Sequence, residues 1–423
     1  MSRAATTKHT IQHGKWGQTT VLCTFATFEN LRRTKLGPGK TAPAILLALF
    51  LATNLSAAHA ATLRVGPGEQ ITRIAEAAKL AKDGDTVEIL PGEYRGDVAV
   101  WPQKQLTIRG IGPRPVLIAD GKSAEGKAIW VIRNGDIHIE NIEFRGARVS
   151  DRNGAGIRFE KGKLLVRDCS FLDNQNGILT ANFGDAELTI ENSLFAQAPR
   201  QMDSLPHLLY VGRIGRLAIS GSRFHGGFRG HLIKSRARIS DIRYNLIHDG
   251  PGGEASYEIN LPNGGIATLI GNIVGQSDKT QNPVVISYGE EGNTWPENRL
   301  TLVHNTLYSE RLTGTWFLRA PFDKFPAPPT VLAINNLTAG LGLFTLATQG
   351  EFHGNLPALP NMLSDPATID FSLPKSSSLR LLGFVTEKLP EENIPIAEFA
   401  LPIGTRPLAA PNRWLPGALQ TGQ

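Results

Sequence analysis

The sequence predicts an all-β fold, a right-handed parallel β-helix solenoid with an N-terminal capping helix and an irregular C-terminal tail. Three observations predict it. A short motif recurs, an apolar residue, any residue, Asn or a substitute, then a further apolar pair or near-pair. It reads Ile139-Glu140-Asn141-Ile142-Glu143-Phe144, and returns as Val166-Arg167-Asp168-Cys169-Ser170-Phe171, Ile190-Glu191-Asn192-Ser193-Leu194-Phe195 and Ile219-Ser220-Gly221-Ser222-Arg223-Phe224, with later copies centred on Asn245, Asn272, Asn305 and Asn336. Successive centres lie 27, 24, 29, 24, 27, 33 and 31 residues apart, a solenoid period that implies eight or nine coils of about 28 residues. Between centres lies a second short apolar strand, as in Gly156-Ile157-Arg158-Phe159 and His207-Leu208-Leu209-Tyr210-Val211. Its two-residue alternation argues for strands and against helical repeats.

The recurrent Asn has a structural reading. Stacked at a turn, Asn141, Asn192, Asn245, Asn272, Asn305 and Asn336 would hydrogen-bond from coil to coil as an amide ladder. At the start, residues 71–81 (ITRIAEAAKLA) carry apolar residues at helical spacing and suit a helix over the open end of the first coil, whose exposed edge would otherwise invite pairing. The first coil then begins at Gly84-Asp85-Thr86-Val87.

Residues 1–60 read as a leader. Lys40 precedes an apolar run from Ala42 to about Leu55, which ends in Ala58-His59-Ala60, the pattern of a secretory signal cleaved after Ala60. A periplasmic or secreted protein is expected, with no membrane span after cleavage, since the run is short for one. The expected organisation is the leader over 1–60, the β-helix over 61–345 and a Pro-rich tail over 346–423, packed on the solenoid.

Removing the leader changes the charge argument. It holds Arg3, Lys8, Lys15, Arg32, Arg33, Lys35 and Lys40 against Glu29, so the remainder has 44 − 7 = 37 basic and 38 − 1 = 37 acidic residues. The basic pI is the leader's and gives no argument for nucleic-acid binding. Cys23 leaves with the leader and Cys169 remains alone, so stability must come from the core rather than a disulfide.

The GDTVEILPGEYRG stretch at residues 84–96, the ladder of apolar-x-Asn segments and the VHNTLY copy at 303–308 resemble the pectate-lyase-like superfamily of right-handed β-helix proteins. Ile369-Asp370-Phe371-Ser372-Leu373-Pro374 resembles the tail that often follows the last coil there. The resemblance covers about residues 62–385. It is specific for fold and loose for activity, and no full catalytic motif of a lyase family is matched.

Chemistry concentrates on two coils. From Arg200 to Arg243 come Arg200, Arg213, Arg216, Arg223, Arg229, Lys234, Arg236, Arg238 and Arg243 against only Asp203 and Asp241. Such a local field would concentrate an acidic ligand. With Leu209 and Ile233 pointing inward, alternation sends Tyr210, Lys234 and Arg236 outward, and Ile259 inward sends Glu258 and Asn260 outward beside them. This set suits β-elimination on a uronate polymer, which needs a base for the proton α to a carboxylate and positive charge for the enolate-like intermediate. Lys234, crowded by Arg236 and Arg238, would be the base, Arg236 would neutralise the carboxylate, and Tyr210 would protonate the leaving oxygen. Arg200, His207, His231, Glu258, Asn260 and Glu290 are the candidate substrate-binding residues. The resemblance implies Lys and Arg on such a face and calcium in many relatives, for which Glu258, Glu290 and Glu291 are the candidate oxygen ligands, although no dense acidic cluster is evident.

An acidic polysaccharide is the expected partner, and a monomer the expected state. A lyase leads the readings. A uronate epimerase, a glycoside hydrolase of the same fold and a noncatalytic carbohydrate-binding β-helix stay open. A hydrolase needs carboxylates converging on one face, and the outward acids are scattered. A binding module needs gathered aromatic platforms, whereas Trp101, Trp130, Trp295 and Trp316 are spread along the chain.

Overall fold

The structure is a computed structural model that describes residues 60–347, 349–382 and 389–421. The expected leader lies almost wholly outside the described residues. Three parallel sheets, here S1, S2 and S3, hold twelve, eleven and ten strands. Each turn of the chain lays one strand in each sheet in that order, as in Thr86–Ile89 (S1), Glu93–Arg95 (S2) and Ala99–Trp101 (S3). The ten strands of S3 make about ten turns, more than the eight or nine expected. The turns at the N-terminal end, Glu93–Trp101 among them, lack the recurrent Asn motif. At the far end the strands run past residue 345, through Glu351–His353 and Leu356–Ala358.

The N-terminal cap is α1, Ile74–Leu80, with Ile74, Ala77 and Ala78 buried. Its first amides are satisfied from the next coil, where the buried Asp97 carboxylate accepts Ile74 N–H at 2.6 Å and Ala75 N–H at 3.0 Å. One strand of S1, Thr62–Val65, precedes α1 and pairs with Thr86–Ile89, so the first sheet starts upstream of the Gly84 turn.

Alternation then fills the interior. Trp101, Trp130, Phe144, Phe171, Phe195 and Phe224 form a continuous file with centroids 5.2, 5.0, 5.1, 4.6 and 4.7 Å apart. The last three contacts are near-parallel stacks, because a parallel register repeats each ring one strand spacing above the last. Cys169 is buried in the same core, and burial pushes its thiol up to about 12.

The ladder is real but displaced by one residue for its early members. Asn245, Asn272, Asn305 and Asn336 form it, each Oδ1 accepting both the backbone N–H and, from Asn272 onward, the side-chain Nδ2 of the preceding member. Asn355 continues it at 2.8 Å from Asn336 Nδ2. Before Asn245 the position belongs to Ser193 and Ser222, whose hydroxyls accept the amides of Cys169 and Ser193. Asn141 and Asn192 sit one residue earlier, in the left-handed conformation with φ of 54° and 47°. That column also holds Asp168, Tyr244, His304 and Asn335 at positive φ. Asn suits both positions for different reasons, left-handed tolerance at one and amide pairing at the other.

The tail lies along the S1–S2 corner. Ala397–Phe399 and Thr405–Pro407 pair antiparallel, Gly404 N–H bonds Gly221 O at 2.7 Å and Gly417 N–H bonds Asn335 O at 2.9 Å. Buried Glu398 is held there by Arg406 at 2.6 Å and by the Gln420 amide at 2.7 Å.

Candidate functional site

The outer face of S3 gathers the predicted side chains because its register is unbroken. Arg158 pairs with Leu179, Leu179 with Tyr210, Tyr210 with Lys234, Lys234 with Asn260, Asn260 with Ser287 and Ser287 with Arg319. This is one column along the solenoid axis. Three residues earlier in the chain, at or just before the strand starts, His207, His231 and Tyr257 make a second column, with ring centroids 4.8 and 4.9 Å apart. Tyr210 joins the two columns, 5.2 Å from the His207 ring.

Around Lys234 the contacts are dense. Its Nζ lies 5.6 Å from the Tyr210 ring centroid and 3.7 Å from Glu291 Oε1, and its side chain is only 15 % exposed. Arg236 forks onto Glu291 at 2.7 and 3.0 Å, donates from Nε to the Tyr210 hydroxyl at 3.4 Å, and also bonds Asn263. Hydrogen bonding from Arg236 holds the Glu291 carboxyl below the usual range. Glu290 accepts Tyr257 OH at 3.0 Å and Ser287 Oγ at 2.8 Å, with Arg319 at 3.7 Å. Burial, with Glu290 beside it, pushes Tyr257 up to about 12.

The two imidazoles are neutral. Burial, then the charges of Lys234 and Arg236, push His207 down to about 3, and its Nδ1 accepts the His231 amide at 2.9 Å. Burial also pulls His231 well below the imidazole range, and its own Nδ1 is buried without a hydrogen-bond partner. Asn260 is 3 % exposed and its Oδ1 is likewise unpartnered.

Two predicted residues are placed differently. Glu258 does not face outward. It is fully buried inside the solenoid, where Gln276 Nε2 donates to it at 3.2 Å, and desolvation, with Asp249 nearby, raises its carboxyl well above the usual range. Strict alternation fails at this strand entry. Leu208 and Leu209, then Leu232 and Ile233, both turn into the core, and Glu258 with Ile259 occupies the same two positions. Arg200 sits on the loop before His207, exposed, over the Phe228 ring at 4.9 Å and paired with Glu254; nothing ties it to the Lys234 face.

The calcium ligand set also fails to assemble. Glu258 is sealed in the core, while Glu290 and Glu291 are engaged by Tyr257 and Ser287 and by Arg236. Among the described residues no group of three or more His, Cys, Asp or Glu side chains is arranged to hold a metal ion. The basic stretch from Arg200 to Arg243 is also less positive in space than in sequence, since Glu254 and Glu291 come from later coils and Asp241 pairs with both Arg216 and Arg243.

Two contributors, Asn263 and Arg158, escape sequence reasoning, and a third, Glu291, was expected only as a calcium ligand. Glu291 is the counter-charge that closes the site. Asn263 orients Arg236. Arg158 lies three turns away on the same column and lines, with Lys127, Asn153, Leu179 and Tyr210, a groove of about 330 Å³. A second hollow of about 480 Å³, lined by Asp203, His207 and Arg229, meets the first at Tyr210. The register of Gly156-Ile157-Arg158-Phe159 against the later strands is the signal that could have found Arg158.

No family model matches this chain, and no curated protein matches it. Among solved structures the crystal structure of pectate lyase Pel9A is similar, with a TM-score of 0.53 and 13 % identity, over 85 % of this chain and 96 % of that one. At this identity the likeness establishes architecture and leaves the chemistry to the side chains. The chain is an all-β parallel β-helix of three sheets and shares the architecture of that structure.

Proposed function

We propose that the protein is a polysaccharide lyase that cleaves an acidic, uronate-containing polymer by β-elimination on the outer face of S3. The observation that carries this reading is the cluster of Tyr210, Lys234 and Arg236, joined by a 3.4 Å hydrogen bond and a 5.6 Å ammonium–ring contact. The likeness to a protein titled a pectate lyase accords with it.

In this reading a uronate carboxylate takes the place of Glu291 on the Arg236 fork. Charge on the guanidinium then stabilises the enolate-like species formed when the α carbon loses its proton. Lys234, in its unprotonated form, accepts that proton at Nζ. Electrons of the broken C–H bond form the new C=C bond as the C–O bond to the leaving sugar breaks, and Tyr210 OH donates to the departing oxygen. Neutral His207 and His231 leave the local positive charge to Arg236, and Lys234 gains its charge only as it takes the proton. Among the described residues no set of three or more His, Cys, Asp or Glu side chains is arranged to hold a metal ion, and Tyr210, Lys234 and Arg236 carry the proton and charge transfers. The protein acts in this reading as an exported monomer, the export resting on the leader over residues 1–60.

Incubation with polygalacturonate, alginate, glycosaminoglycans and bacterial exopolysaccharides, monitored by ultraviolet absorbance of the conjugated product, tests the reading. Product from one acidic polymer, reduced about 10²- to 10⁴-fold in a folded Lys234→Ala variant, is expected. Absence of unsaturated product on every acidic polymer, or full activity in the variant, would overturn it.

A further inference from the structure

We propose that Arg158 forms a second carboxylate-binding subsite of the same glycan, so that the polymer lies along the solenoid axis with Tyr210 between two cationic anchors. This rests on the lyase reading for the class of ligand, and on the column itself for the geometry.

Arg158 shares its outward column with Lys234, three strands away through Leu179 and Tyr210. At about 4.8 Å per strand the two positions are roughly 14 Å apart along the axis, a span of several sugar rings. Between them the floor is apolar. Leu179 packs with Val131 and Ala155, and the Tyr210 ring adjoins them, which gives the C–H faces of sugar rings a surface to lie on. The groove lined by Arg158 and Leu179 runs as far as Tyr210, whose ring lies 5.6 Å from Lys234 Nζ.

The charge at Arg158 is unspent. Its neighbours Lys127 and Arg133 share Glu160, at 2.7 Å each, and also Glu125. Those four side chains close on themselves. Arg158 has no carboxylate within 4.0 Å among the described residues, and its buried Nε has no hydrogen-bond partner. Asp151 lines the same groove beyond ion-pair distance, its carboxylate accepting the Asn153 amide at 3.0 Å. Partial burial pulls the Arg158 guanidinium below its ordinary range, and the charges of Glu160 and Asp151 offset that desolvation only in part. A planar guanidinium in that state is matched by a carboxylate, which it can engage with two parallel bonds.

Calorimetric titration of a Lys234→Ala protein, which does not consume its ligand, with di- and hexagalacturonate and with di- and hexamannuronate tests this. Tighter binding of one hexamer than its dimer is expected. Adding Arg158→Gln should weaken that hexamer about tenfold or more, the worth of one charge-assisted hydrogen bond, and leave the dimer unchanged. Arg158→Lys should recover part of the loss. A hexamer whose affinity ignores Arg158→Gln overturns the subsite and leaves the lyase reading standing. Equal weakening of dimer and hexamer overturns it too, by showing a general rather than a remote effect. Failure of every oligomer to bind the Lys234→Ala protein removes the uronate reading and the subsite together.

Discussion

Replacing Asn272 by Ala and, separately, Asn192 by Ala should give very different losses of stability, although both were read from the same sequence motif. Asn272 is fully buried. Its Nδ2 donates to Ile242 O at 2.8 Å and to Asn305 Oδ1 at 3.0 Å, and its Oδ1 accepts Asn245 N at 3.1 Å and Asn245 Nδ2 at 3.0 Å. Truncation strands Asn245 N–H and Ile242 O inside the turn, each costing about 1–3 kcal/mol, and interrupts a chain of mutually polarising amides. A loss of roughly 3–6 kcal/mol follows. Asn192 takes no part in the buried ladder of Asn245 to Asn355; its side chain meets Asp168 of the preceding coil at the turn, and its backbone holds φ of 47°. Alanine there costs about 1–2 kcal/mol of left-handed strain. Urea unfolding followed by fluorescence of the buried Trp101 and Trp130 reads the difference. Equal losses, or a larger loss at Asn192, would refute the assignment of the ladder to the Asn245–Asn355 positions.

Three further outcomes are expected. Phe195→Ala, in the middle of the ring file, should cost about 3–5 kcal/mol, read as a lower urea midpoint; a loss near zero would mean the file is not continuous. Glu258→Gln should stabilise the protein at neutral pH. The folded carboxyl is raised above its unfolded value, so its contribution is fully present below the unfolded pKa and is lost as pH rises through the folded one. The variant should therefore flatten the fall in stability on the alkaline side of the carboxylate range, and an unchanged pH–stability curve would count against the buried placement. With His207 held down at about 3, its NMR signals and those of His231 should show no titration between about pH 5 and 8, where an unperturbed imidazole changes charge; a midpoint near the ordinary value would show rings more open to water.

The fold was legible because parallel stacking forces repetition. Each coil must present an apolar residue at the same place, so Phe144, Phe171, Phe195 and Phe224 recur at solenoid spacing and become one file. Periodicity located the outward column of Tyr210, Lys234 and Asn260 for the same reason. It misplaced Glu258 because strand entry in S3 turns two successive side chains inward, a departure that period-two reasoning does not contain. Alignment of Glu258 beneath Leu208 and Leu232 would have exposed it. The roles of Arg158 and Glu291 were missed for a different reason. What matters at Arg158 is the carboxylate it lacks, and at Glu291 a loop that folds back over Arg236, and neither is a local pattern.

The most direct measurement is a crystal structure of the Lys234→Ala protein with a bound acidic hexasaccharide. Sugar density is expected over Tyr210 on the outer face of S3, with one carboxylate on Arg236 in place of Glu291. Density on another sheet or along the Asn ladder, with the Arg236–Glu291 pair intact, would contradict it.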